Sequence, residues 1–144
     1  MVEPTMPDGR GCVLMTRARG LIGEDFVRDV NAYLADQVRL AGGPPVEVLW
    51  CPHRPEDGCR CRKPRPGLLH VAAKRTGLPL DKAAFVGDSR ADLAAARAAG
   101  VPTFLHACGG SEPCPPPARD GGAVTCLREL AALADALPPV AAQR

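Results

Sequence analysis

The sequence predicts a single α/β domain built on a parallel sheet. Three observations carry that reading. Short apolar runs alternate with stretches of helical periodicity between residues 46 and 106, the arrangement that produces parallel strands joined by crossover helices. Each of those helical stretches stops at a glycine, as helix C-termini favour. The 144 residues, 46% hydrophobic and 24% charged, suffice for one ordinary globular domain with a single core.

Taken in order, residues 1–11 are rich in Pro and Gly without periodic apolar positions, and read as a flexible start. Cys12 to Thr16 (CVLMT) is a buried-strand run ending at a hydroxyl residue. Glu24 to Leu40 places Phe26, Val30, Tyr33, Leu34 and Val38 at helical spacing before Gly42-Gly43-Pro44-Pro45 stops it. Val46 to Trp50 is a second strand, and Cys51 to Pro66 holds too much Pro, Gly and Arg for regular structure. A helix over Gly67 to Thr76, a strand over Ala83 to Gly87, an Ala-rich helix over Ser89 to Gly100 and a strand over Val101 to His106 follow. After the breaker-rich stretch Gly109 to Gly122, Ala123 to Leu137 reads as a last helix. The domain therefore spans residues 12–137, and residues 138–144 form a flexible tail.

Charge and composition exclude several functions. With 18 Lys and Arg against 16 Asp and Glu, the net charge is +2, and no global field attracts nucleic acid or anionic membrane. Aromatic residues at 3%, with one Trp and one Tyr, argue against an aromatic stacking surface for single-stranded bases. No apolar run approaches the ~20 residues of a membrane span, and residues 1–10 lack a signal-peptide core, so the expected location is the cytoplasm.

Three of the seven cysteines crowd beside a histidine within Cys51 to Cys61. Cys51, His53, Cys59 and Cys61 are the soft donor set of a closed, structural tetrahedral zinc site, which would give shape to a loop with almost no apolar content. The same four also read as reduced thiols and an imidazole in a loop without metal. Cys12, Cys108, Cys114 and Cys126 read as small core or surface residues without partners. Next come Arg62-Lys63-Pro64-Arg65-Pro66. Over residues 54–65, five basic residues face Glu56 and Asp57, a local charge of 5 − 2 = +3. Guanidinium forks and a mobile ammonium suit a phosphoryl group, although such a run alone is more often a solvated surface.

Phe85-Val86-Gly87-Asp88 places a carboxylate at the C-terminal end of a strand, where open α/β sheets build their sites. Asp88 offers a hard oxygen to Mg²⁺, and Asp92, one helical turn on, can orient its neighbours. The simpler reading is that Asp88 or Ser89 caps the following helix.

The order of these motifs resembles the haloacid dehalogenase-like phosphatases, in particular the D,D-heptose 1,7-bisphosphate phosphatase and histidinol-phosphatase branch. The residues that carry the likeness run densely from Trp50 to Leu105 and more loosely from Cys12 to Gly43. The resemblance implies a three-layer Rossmann-like parallel sheet with helices on both faces and a zinc-ordered loop. It also implies hydrolysis of a small sugar phosphate through an aspartyl-phosphate, with catalytic Mg²⁺ and structural Zn²⁺. By the same resemblance Cys51, His53, Cys59 and Cys61 bind zinc, Arg62 contacts the sugar phosphate, and Lys63 stabilises the phosphoryl group. Asp88 ligates Mg²⁺ with Asp92 in support, and Thr16 donates its hydroxyl to the transferring group.

Two departures matter. Arg17 and Ala18 stand where the family's second motif has Asn and Gln. The family's first strand ends in Asp-x-Asp, which supplies the nucleophile and the general acid and base, and no Asp-x-Asp occurs anywhere in this sequence. Lacking that central strand, the sheet is expected to pair its remaining strands or to leave an edge open to self-association. A non-catalytic descendant that binds a phosphorylated metabolite or a protein is the alternative function. A zinc-dependent nucleic-acid module is disfavoured by charge and aromatic content.

Overall fold

The computed structural model describes residues 12–17, 23–109, 112–116, 123–128 and 132. The chain forms two compact units, residues 1–62 with 67–78 and residues 63–66 with 79–144.

In the first unit β1 (Cys12–Arg17) pairs in parallel with β2 (Val46–Cys51), with Thr16 opposite Trp50 and Arg17 opposite Cys51. Between them runs α1 (Glu24–Leu40), whose first turn carries Glu24 and Asp25 and whose last carries Arg39. Those charges complement the helix dipole, and no side chain caps the N-terminus. The α1 apolar stripe stays largely open, with Phe26 58% and Tyr33 62% exposed. Alternation on β2 buries Leu49 and Cys51, and α2 (Gly67–Thr76), which packs on β2, buries Leu69 and Ala72 three residues apart. Arg75 donates to Glu47 across 2.8 Å, tying the same helix to the same strand.

In the second unit β3 (Ala84–Gly87), β4 (Thr103–Ala107) and β5 (Ala123–Leu127) form a parallel sheet in the order β3-β4-β5. Its core holds Phe85, Phe104, Leu105 and Leu127, and the rings of Phe85 and Phe104 stack with centroids 5.7 Å apart. Burying a side chain of that size stabilises the fold by roughly 1.5–3 kcal/mol. The helix α3 (Arg90–Ala98) covers β3 and buries Leu93, Ala95 and Ala96. Ser89 is its N-cap, its Oγ accepting from the Asp92 amide at 3.2 Å.

Strand and helix alternate from β1 to β4 as the sequence predicts, and among the described residues the strands pair in parallel. Among the described residues, β1 pairs only with β2 and β3 only with β4, so each keeps an unpaired edge. One element differs outright. Residues 123–127 are the strand β5 and not the start of a helix, because β-branched Val124 and Thr125 and the apolar Leu127 pair along β4 from Thr103 to Ala107. The Ala- and Leu-rich pattern that suggests a helix lies further on, and apart from residue 132 the stretch 129–137 is outside the described residues, as are 1–11 and 138–144. A second correction concerns Cys114 and Cys126, expected to lack partners. They form a disulfide with Cα atoms 6.2 Å apart, a link between a loop and a strand that spacing alone cannot reveal.

Candidate functional site

The four predicted zinc donors converge. Cys51 ends β2, and the chain then turns through a 3-10 segment at Pro55–Asp57, where the Asp57 carboxylate accepts the Arg54 amide at 2.7 Å. This turn brings Cys59 and Cys61 back to the strand end. Cys51 Sγ lies 3.5 Å from Cys59 Sγ and 3.1 Å from Cys61 Sγ, and Cys59 and Cys61 are 3.4 Å apart. His53 Nδ1 lies 3.6 Å from Cys51 Sγ and 3.2 Å from Cys61 Sγ. Tetrahedral zinc with Zn–S near 2.3 Å requires sulfurs ~3.7 Å apart, so small outward shifts place one ion among these four donors. The donor set fits zinc.

The neighbouring thiols shift one another's acidity in opposite directions. Burial first, then the neighbouring Cys51 and Cys59, push the Cys61 thiol up to about 12. Burial also opposes ionisation of Cys59, but hydrogen bonds from Cys61, Cys51 and the amides of Arg62 and Cys61 outweigh it and lower that thiol. A dication held by Cys51, His53, Cys59 and Cys61 would stabilise every thiolate together. The loop is held at its far end too. The Gly67 amide donates to the Arg60 carbonyl at 3.0 Å, and a Cβ on Gly67 would stand 2.3 Å from that oxygen. Arg62, half-buried, directs its guanidinium to the His53 carbonyl at 3.4 Å.

Lys63, the next residue, belongs to the second unit, and its peptide bond to Pro64 is cis. Its ammonium is bonded to the Asp92 carboxylate in a direct ion pair. Asp92 is 2% exposed. Its other oxygen accepts the Ser89 hydroxyl at 2.7 Å and the Asp88 amide at 3.2 Å. Burial works against its charge, but the Lys63 and Ser89 bonds, the ammonium itself and the Asp88 amide hold its carboxyl below the ordinary value of 3.8. Gly87 has a reason beyond tight turning: a Cβ there would stand 2.5 Å from that of Asp92. Ser89 therefore caps α3, and Asp92 fixes Lys63 and the Asp88 backbone at the carboxyl end of β3. The Asp88 side chain itself is exposed. One carboxylate at such a position suits Mg²⁺, which takes one or two protein carboxylates and fills its octahedron with water and phosphate oxygens.

Two contributors had no signal in the sequence. Glu112 accepts the Arg90 amide on its carboxylate at 2.9 Å, and its carbonyl lies 3.1 Å from Nε2 of the fully buried His106. His106 Nδ1 has no partner among the described residues. Thr16 lies one residue before the end of β1.

The HAD-hydrolase-like family model matches residues 60–128, the stretch holding Arg62, Lys63, Asp88 and Asp92. The crystal structure of D,D-heptose 1,7-bisphosphate phosphatase from B. bronchiseptica, complexed with magnesium and phosphate, superposes with a TM-score of 0.68 at 30% identity, over 87% of this chain and 72% of that one. The chain belongs to the haloacid dehalogenase-like phosphatases. Among curated members of this family, the D-glycero-β-D-manno-heptose-1,7-bisphosphate 7-phosphatase of Pseudomonas putida is 39% identical over 95 residues, 66% of this chain and 54% of that protein. Its namesake from Pseudomonas aeruginosa is 43% identical over 81 residues, 56% of this chain and 46% of that protein. The chain thus spans about half the length of these haloacid dehalogenase-like relatives. No helix among the described residues is long and apolar enough to cross a membrane.

Proposed function

We propose that this chain carries the phosphoryl-binding and metal-binding part of a phosphatase acting on a small sugar phosphate of the D,D-heptose 1,7-bisphosphate class. The observation that carries the reading is the buried Asp92, which holds the Lys63 ammonium at the carboxyl end of β3 next to Asp88. An ammonium with one side satisfied by a carboxylate still has donors for the equatorial oxygens of a phosphoryl group. Lys63 binds that group and neutralises charge as the ester bond breaks. Asp88 offers an oxygen to Mg²⁺, which supplies Lewis-acid stabilisation of the phosphoryl oxygens when bound. Asp92 positions Lys63. The family resemblance gives Thr16 the role of a hydroxyl donor to phosphate and Arg62 that of a contact to the sugar phosphate. Cys51, His53, Cys59 and Cys61 hold a structural zinc, and the cytoplasm, where thiolates stay reduced, is the setting we assign.

Turnover also needs an attacking carboxylate. It bonds to phosphorus as the ester oxygen leaves and takes a proton, and water then cleaves the acyl phosphate. Neither Lys63 nor a metal ion replaces it, and the absence of Asp-x-Asp from these 144 residues favours a second reading, a non-catalytic phosphometabolite binder. Phosphate release from a panel of sugar phosphates in Mg²⁺, measured on this chain and on one extended upstream, separates the two. Turnover in either protein that falls sharply in Lys63→Ala supports the phosphatase. Binding without turnover in both supports the binder, and neither binding nor turnover removes the proposal.

A further inference from the structure

Three cysteines outside the zinc loop gather at the carboxyl end of the second unit's sheet. Cys108 follows β4, Cys126 lies in β5 opposite His106, and Cys114 lies in the loop between those strands. Their three sulfurs lie within 4.8 Å of one another. Cys114 and Cys126 are bonded, while Cys108 is a free thiol. The two bonded cysteines are exposed and the free one is half-buried. Cys108 is held in place, because its amide donates to the Leu127 carbonyl at 2.8 Å. A disulfide open to solvent, with a third thiol fixed beside both of its sulfurs, has the parts of an exchange centre: an entry point for an external thiol and a resolving thiol behind it.

We propose that Cys108, Cys114 and Cys126 form a thiol–disulfide exchange site whose external reactant is a low-molecular-weight thiol. An external thiolate attacks one exposed sulfur of the Cys114–Cys126 bond, forming a mixed disulfide as the other sulfur leaves as a thiolate and takes up a proton. The Cys108 thiolate, having lost its own proton, then attacks the protein sulfur of that mixed disulfide. A new bond to Cys108 forms and the external thiolate departs. One disulfide and one protein thiol exist before and after, so no oxidant is consumed. The cross-link moves, and with it the tether on the loop that carries Glu112, whose contacts to Arg90 and His106 brace α3 and β4. Disulfides in reducing compartments are characteristically transient and redox-sensing, which suits a bond with a built-in resolving thiol.

The test equilibrates the full, zinc-loaded chain in a buffer of reduced and oxidised glutathione, quenches with acid, alkylates free thiols and maps linkages by peptide mass spectrometry. The wild-type protein is expected to show the Cys114–Cys126 bond together with a bond involving Cys108, and little glutathione adduct. Cys108→Ser is expected to show only the Cys114–Cys126 bond and a glutathione adduct raised severalfold, with unchanged zinc content and circular dichroism reporting an intact fold. A wild-type protein in which Cys108 never forms a bond and adducts match those of Cys108→Ser overturns the proposal. Three alkylation-resistant sulfurs with an additional zinc ion per chain overturn it as well, since the centre would then be a metal site.

Discussion

Asp92 is the residue on which the second unit's chemistry turns. Three donors converge on its buried carboxylate: the Lys63 ammonium, the Ser89 hydroxyl and the Asp88 amide. Asp92→Ala leaves them unsatisfied and is expected to cost about 2–3 kcal/mol at neutral pH. The pH dependence has a definite sign. The folded carboxyl titrates below 3.8, so the stability it contributes is complete above that value and is lost as pH falls below it toward the folded-state titration. Urea unfolding of wild type and Asp92→Ala should therefore give curves well apart at pH 7 that converge in strong acid. A separation independent of pH would show that the charge is not what stabilises. Part of this was legible in the sequence: spacing puts Gly87-Asp88 at a strand end, a cap at Asp88 or Ser89, and Asp92 one turn on, whereas the pairing of Asp92 with Lys63, 29 residues away, leaves no local pattern. The actual reason for Gly87 was not, because close approach to the Asp92 side chain is a property of packing and leaves no local pattern.

At the level of elements, the loop from Cys51 to Gly67 has a shape that hydrogen bonds and, on our reading, one ion provide. Its donors were readable because metal ligation restricts residue type and spacing so tightly. The disulfide and β5 were not. Residues 123–127 have too few side chains to reveal a period before the helix-like pattern begins, and pairing with β4 decides their conformation. The purified chain is expected to bind zinc one-to-one through Cys51, His53, Cys59 and Cys61, and Cys61→Ser to weaken that binding strongly. Because a thiol raised to about 12 must lose its proton to ligate, binding should release protons, seen as heats that vary with the buffer, and zinc should dissociate as pH falls. Heats independent of the buffer would contradict thiolate ligation. Gly67→Ala offers a second check. Its Cβ would press on a backbone oxygen 2.3 Å away, so the loop must move. A loss of about 1–3 kcal/mol in stability and weaker zinc binding are expected, and a thermal melt and a zinc titration matching wild type would remove this contact from the account.

For the molecule as a whole, membership of the haloacid dehalogenase-like phosphatases narrows what the site can be. Parallel pairing and the strand-end carboxylate Asp88 were predictable, because they follow from the alternation of strand and helix and from the strand's last residues. Whether phosphate esters are cleaved or only held, both readings need the same event, an ammonium fixed by Asp92 meeting a phosphoryl oxygen. One hydrogen bond to a charged group is worth about 1.5–3 kcal/mol, roughly ten- to a hundredfold in affinity. Calorimetric titration of the zinc-loaded chain with a sugar bisphosphate in Mg²⁺, beside Lys63→Ala, reads that event directly. Binding by wild type that weakens at least tenfold in the variant is the predicted result. Equal affinity in the two proteins, or no binding by wild type, would contradict it.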